Sequence, residues 1–195
     1  MTIIGFVRHG ITDWNVSRRD QGQTDIPLND IGRYQANAFA GRLQPGEWDR
    51  IVASDLSRAR ETAEIAGRAL ELPIETDSRF REVFYGKREG TTYEERLARW
   101  GANCESLPLD RETHEAAIHR GRSALEEWIQ RFPQERILIF SHGELVEVLT
   151  AALLEQEVKL GVLGNTSLTV MQYANGRWNC PIFNDTAHLD GTVSS

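Results

Sequence analysis

Ile3-Ile4-Gly5-Phe6-Val7-Arg8-His9-Gly10 decides how this chain is read. The apolar run has the length and composition of a short buried strand, and it ends in a cation, an imidazole and a glycine. Open α/β sheets bind ligands in the crevice beyond the carboxyl ends of their strands, so Arg8 and His9 are aimed at such a crevice. A second strand, Ile137 to Phe140, ends in Ser141-His142-Gly143. A third, Ile51-Val52-Ala53, runs into Ser54-Asp55-Leu56-Ser57-Arg58 at a strand-to-helix junction. Two histidines and two arginines at strand ends make a pocket suited to a phosphoryl group.

Outward from these strand ends, strand-like and helix-like runs alternate. The polar stretch through Pro27 reads as a loop. Asn29 is placed to cap a helix with Ile31, Ala36, Phe39, Ala40 and Leu43 on one face, ending near Pro45-Gly46. Asp55 or Ser57 is placed to cap the next helix, whose inner face carries Ala59, Thr62, Ala63, Ala66 and Leu70. Leu72 to Thr76 reads as a further strand, the third in chain order. Residues 78–115 look irregular apart from a short helix around Glu94 to Trp100. A long helix with Ile118, Leu125, Trp128, Ile129 and Phe132 on one stripe stops at Pro133. The helix after Phe140 carries Leu145, Val148, Leu149, Ala152 and Leu153 inward. Ser167 to Tyr173 and Trp178 to Phe183 form a hairpin around Asn175-Gly176. The pattern predicts one α/β domain over residues 1–195: a three-layer α/β/α sandwich with a mostly parallel sheet and an antiparallel edge.

Composition narrows the function. The chain has 195 residues, 40% hydrophobic and 26% charged, as expected of a soluble globule. A net charge of −7 argues against nucleic acid or an anionic membrane as partner. Cys104 and Cys180 have no metal-ligand spacing and read as reduced thiols. Met1 leads straight into the first strand, leaving no room for a signal peptide, and no apolar run is long enough for a membrane helix. A cytoplasmic location is expected.

Hydrolysis of phosphate monoesters depends on positioning, on positive charge and on donors around the phosphoryl oxygens. The guanidinium forks of Arg8 and Arg58 suit those oxygens, and Arg58 in the first turn of a helix adds free N–H groups nearby. Taken singly, Arg58 also reads as a surface arginine. His9, beside two cations, is the candidate nucleophile, with a structural strand-end histidine as the alternative. His142 can donate a hydrogen bond to the transferring group or cap a helix, and Gly143 lets backbone approach a ligand closely. Glu82 is the candidate acid for the leaving group, desolvated by flanking aromatics, or else a salt-bridge partner of Arg81. His114 and His119 are not at zinc-binding spacing, and no metal site is expected.

These residues fall into a familiar order. Arg8-His9-Gly10-x-Thr12-x-Trp14-Asn15, then Gln21-Gly22-x-x-Asp25-x-Pro27-Leu28, resemble the opening blocks of the histidine phosphatase superfamily, in its phosphoglycerate-mutase-like branch. Ser54-Asp55-Leu56-x-Arg58-Ala59, Arg81-Glu82-x-x-x-Gly86-x-x-Glu89-Gly90, Ser141-His142-Gly143 and Asn184-Asp185-Thr186-x-His188-Leu189 are similar to its later ones. The resemblance implies a phosphohistidine on His9, with Arg8, Arg58 and His142 around the phosphoryl group. Glu82 would be proton donor and then base, and Asn15, Gln21, Gly22 and Gly143 would complete the phosphate pocket. It implies a small phosphate ester as substrate, no metal and no organic cofactor; a homodimer is compatible with the sequence. Many relatives have an acidic residue and Trp where this chain has Lys87-Arg88, and Gly-Glu-Ser where it has Arg111-Glu112-Thr113. Lys87 and Arg88 are therefore expected to make the mouth cationic and to favour substrates with a second anionic group. The short middle segment favours a phosphatase over a phosphoglycerate mutase. A catalytically silent phosphate-binding domain is the third reading.

Overall fold

The computed structural model describes residues 2–155 and 161–190. In chain order the elements are β1 (Thr2–Arg8), α1 (Asp13–Val16), α2 (Asp30–Ala40), β2 (Arg50–Ala53), α3 (Ser57–Leu70), β3 (Ile74–Thr76) and α4 (Tyr93–Trp100). They continue with α5 (His114–Arg131), β4 (Arg136–Ser141), α6 (Gly143–Leu153), β5 (Leu168–Ala174) and β6 (Arg177–Asp185). The six strands lie in the order β3-β2-β4-β1-β5-β6. The pairs β1–β4, β2–β4 and β2–β3 are parallel, whereas β5 joins β1, and β6 joins β5, antiparallel.

Strand alternation builds two cores, one on each face of the sheet. Ile4, Phe6, Ile137 and Ile139 pack with Leu125 and Trp128 of α5 and with Val146 and Leu149 of α6. Val7, Leu138 and Phe140 face the other way, against Phe39 of α2 and Ala63, Ala66 and Leu70 of α3. Gly5 shares that second face, where a Cβ would lie 2.4 Å from Trp48, so the indole fills the space a side chain would need. The layers are those expected: helix, sheet, helix.

Several local expectations are corrected. Ile31 is 54% exposed, because α2 turns Gly32, Ala36, Phe39 and Ala40 inward. That helix ends at Ala40 with Gly41 as its C-cap, ahead of Pro45-Gly46. Neither Asp55 nor Ser57 caps α3: Asp55 is drawn to Arg81, and the Ser57 N–H donates to Asp25 Oδ1 at 2.7 Å. Val146, not Val148, completes the buried stripe of α6. β3 begins only at Ile74. The stretch read as loop contains α1, closed by a capping box between Thr12 and Asn15. Asn29 does cap α2, accepting from the Gly32 N–H, and Asn175-Gly176 turns the hairpin with both residues at positive φ.

Candidate active site

The register of β1 and β4 pairs Arg8 with Ser141, which sets the next residues, His9 and His142, side by side at the carboxyl edge. The His9 N–H donates to the Ser141 carbonyl at 3.0 Å, and the two imidazole centroids are 5.2 Å apart. His9 Nδ1 lies 2.6 Å from the Gly10 carbonyl. A carbonyl only accepts, so Nδ1 carries the hydrogen and Nε2 keeps the lone pair. Burial, then Arg58 and Arg8, hold the His9 pKa well below the usual imidazole range, so the ring is neutral at pH 7. The exit of β1 lies hard against α2: a Cβ on Gly10 would be 2.5 Å from the Gly32 carbonyl oxygen.

Arg58 is fully buried, which disposes of the surface reading. Its Nη1 donates to the Thr24 carbonyl at 2.9 Å and its Nη2 to that of Gly22 at 2.7 Å. Burial lowers its pKa to about 10, so it remains a cation at neutral pH. Arg8 donates through Nη1 to the Leu163 carbonyl. His142 occupies the N-cap position of α6 but makes no cap hydrogen bond; its Nε2 sits 2.9 Å from Ser54 Oγ. Arg8 Nε, Arg58 Nε and His142 Nδ1 are buried without a hydrogen-bond partner among the described residues. Each unpaired buried polar group costs about 1–3 kcal/mol, and a tetrahedral oxyanion offers the acceptors that would satisfy such nitrogens.

Glu82 is held by main chain. Its Oε1 accepts from the Val83 and Leu145 N–H groups at 2.9 and 2.8 Å, and its Oε2 from that of Glu144 at 3.1 Å. Two of those donors belong to the first turn of α6, so the carboxyl caps that helix from outside. Burial and the neighbouring Glu144 charge outweigh these hydrogen bonds and raise its pKa. The alternative for Glu82, a salt bridge with Arg81, does not form, because Arg81 pairs with Asp55. Arg120 fixes the segment instead. It donates to the carbonyls of Arg79 and Arg81, both at 2.7 Å, and of Glu82 at 2.9 Å, while Glu112 takes its remaining donors.

A cavity of about 140 Å³ opens over His9, lined by Arg8, Asn15, Gln21, Gly22, Arg58 and Glu82 together with Arg19, Asp20 and Tyr85. Seven of the nine residues read from sequence therefore share one cavity. His142 stands behind His9, and Gly143 lies against the Arg8 side chain, where a Cβ would come within 3.3 Å of Nε. Thr12, fully buried, orients both amides: its hydroxyl meets Asn15 Oδ1 at 3.1 Å and Gln21 Oε1 at 2.9 Å. Glu89 moulds the loop at Gly22–Thr24 by accepting from the Gln23, Thr24 and Tyr85 N–H groups, and Gly22 at φ +51° avoids that carboxylate. Arg19, Asp20, Arg120 and the Glu89 clamp escaped the sequence reading, since their neighbours are distant in the chain. A larger groove, about 710 Å³, lies between α5, α6 and the hairpin, but contributes no imidazole or hydroxyl-bearing nucleophile apart from Tyr173.

The segment from residue 78 to 112, which roofs the cavity through Glu82 and Tyr85, corrects the expectation for Lys87 and Arg88. Lys87 pairs with Asp110 at 2.9 Å. Arg88 bonds Asp20 and Glu105, and the nearly buried Arg96 bonds the same two carboxylates. Each of these cations has a carboxylate partner, Lys87 at the exposed surface and Arg88 within the segment, so together they add no net charge to the mouth.

Comparison with known proteins gives the family. Residues 4–186 match the family model of the histidine phosphatase superfamily (branch 1). The chain belongs to that superfamily. Among curated histidine phosphatase relatives, the uncharacterized phosphatase PhoE of Bacillus subtilis (strain 168) is 36% identical over 99% of this chain and 100% of its own length. YhfR of Bacillus stearothermophilus superposes with a TM-score of 0.87 at 31% identity, covering 97% of this chain and 100% of that one. Mycobacterial glucosyl-3-phosphoglycerate phosphatase, solved in complex with VO3, gives a TM-score of 0.83 at 32% identity, over 93% and 98% of the two chains. No described helix is long and apolar enough to cross a membrane.

Proposed function

We propose that this histidine phosphatase is a phosphomonoesterase that needs no metal and acts on a small phosphorylated metabolite through a phosphohistidine on His9. The arrangement that carries this reading is a neutral, Nδ1-anchored His9 between two buried guanidinium groups, with a protonatable carboxyl in the same cavity. Nε2 attacks phosphorus, and the bond from phosphorus to the ester oxygen breaks. Arg8 and Arg58 hold the phosphoryl oxygens, and His142 donates to them in place of a metal ion. The departing alkoxide takes the Glu82 proton. The carboxylate so formed removes a proton from water, the water oxygen attacks phosphorus, the P–N bond breaks, and phosphate leaves with His9 restored. The side-chain NH2 groups of Asn15 and Gln21, whose oxygens are held by Thr12, and the N–H groups of Gly22 and Gly143 complete the oxygen contacts.

Release of inorganic phosphate from p-nitrophenyl phosphate in the presence of EDTA, without priming by a bisphosphate, tests the reading. Quenching in alkaline detergent during turnover of a ³²P-labelled ester should trap acid-labile, alkali-stable label on His9. Label on another residue, or a requirement for bisphosphate priming as in a mutase, would overturn it.

A further inference from the structure

The cavity has two walls of opposite character. On the floor, Arg8 and Arg58 bring two positive charges whose hydrogen bonds go to carbonyl groups, not to carboxylates. A phosphate monoester dianion matches that charge. On the outer wall, Arg19 is paired with Glu95, at 2.6 and 2.7 Å, and bonds the Gly90 carbonyl. Beside it, Asp20 spends only Oδ2 on Arg88 and Arg96, both at 3.0 Å. Its Oδ1 accepts no hydrogen bond among the described residues. Farther out, Arg88 and Arg96 also share Glu105, and Arg111 is bonded to Glu144. Each of these outer cations already has a carboxylate partner.

Building on the phosphatase reading, we propose that the space beyond the phosphoryl pocket receives an uncharged, hydroxyl-bearing leaving group, selected by Asp20. A sugar or polyol phosphate can donate a hydroxyl hydrogen to Asp20 Oδ1. A carboxylate or second phosphate on the leaving group meets an oxygen there that can only accept, and among the described outer cations none is without a carboxylate partner. Discrimination of this kind comes from repulsion of the wrong ligand as much as from attraction of the right one. It is also the reverse of what Lys87-Arg88 suggests in isolation.

Glycerol 3-phosphate and 3-phosphoglycerate share a three-carbon skeleton and differ by one carboxylate, which makes them the probe. The native enzyme should show kcat/KM for glycerol 3-phosphate about tenfold or more above that for 3-phosphoglycerate. Asp20→Asn should narrow that ratio severalfold, and so should rising KCl with the native chain, which keeps the test open if the variant does not fold. A ratio near one or reversed in the native enzyme would overturn the proposal, as would a ratio that widens with salt. Turnover of p-nitrophenyl phosphate alongside such a ratio would leave the phosphatase reading standing. Absence of turnover for all three esters would sink both readings.

Discussion

The floor and the roof of this cavity are built from different forces. The floor is the carboxyl edge of β1 and β4, whose residues sit in two dry apolar cores, with His9, Arg58 and His142 locked between them. The roof, from residue 78 to 112, is held by ion pairs: Arg88 and Arg96 with Asp20 and Glu105, Arg120 with Glu112, Arg111 with Glu144. Packing is dense and tolerates little displacement, so it suits groups that must stay aligned for bond making. Partly exposed ion pairs are individually weak and exchangeable, so they suit a surface that varies with substrate. In the proposed cycle the nucleophile and the phosphoryl-binding cations belong to the floor, whereas the roof supplies Glu82 and the ion pairs around Asp20.

That division is open to attack in order of effect. His9→Ala, on the floor, should lower kcat by about 10⁴-fold or more with every ester, measured by phosphate release. An ester-dependent loss would mean that the floor also selects. Glu82→Gln should cost about 10²–10⁴-fold on alkyl phosphates and far less on p-nitrophenyl phosphate, whose leaving group needs no proton. Arg120→Lys, which cannot span the four residues the guanidinium grips, should reproduce that leaving-group pattern in weaker form; a uniform loss would reduce Arg120 to a structural part.

A pH series sharpens the same contrast. The His9 pKa is lowered, so kcat/KM should rise through a limb below the usual imidazole range as the ring becomes neutral. The Glu82 pKa is raised, so activity should fall through a limb above the usual carboxylate range as the acid is lost. Compared on one ester, Glu82→Gln should lose the second limb and keep the first. The smallest effect belongs to the outer roof. Glu105→Gln breaks bonds to Arg88 and Arg96 on a half-exposed carboxylate, and should shift KM a few fold while lowering unfolding free energy by about 1 kcal/mol or less, read by urea denaturation.

The same contrast explains what the sequence discloses. His9 and His142 are legible because each follows an apolar strand, and register alone then makes them neighbours. Arg58 is legible through its place in the first turn of a helix after β2. Glu82 could be named, but not the three N–H groups that hold it, because Leu145 and Glu144 arrive from more than sixty residues away. Ile31 misled because helical spacing marks a stripe without fixing its rotation, which here the close approach of Gly32 to the chain after β1 decides. Lys87 and Arg88 misled for a related reason. A charge in a sequence has no visible partner, and both found theirs in Asp110, Asp20 and Glu105.

One arrangement reaches further. The carboxyl of Glu82 rests on the amino end of α6, so the moment it surrenders its proton, the fresh negative charge already faces N–H groups pointing its way. In the proposed cycle nothing has to swing round to accommodate that charge while water enters. The helix would keep the side chain in one posture through both halves of the reaction, first as donor and then as acceptor, and turnover would require no conformational change at this residue.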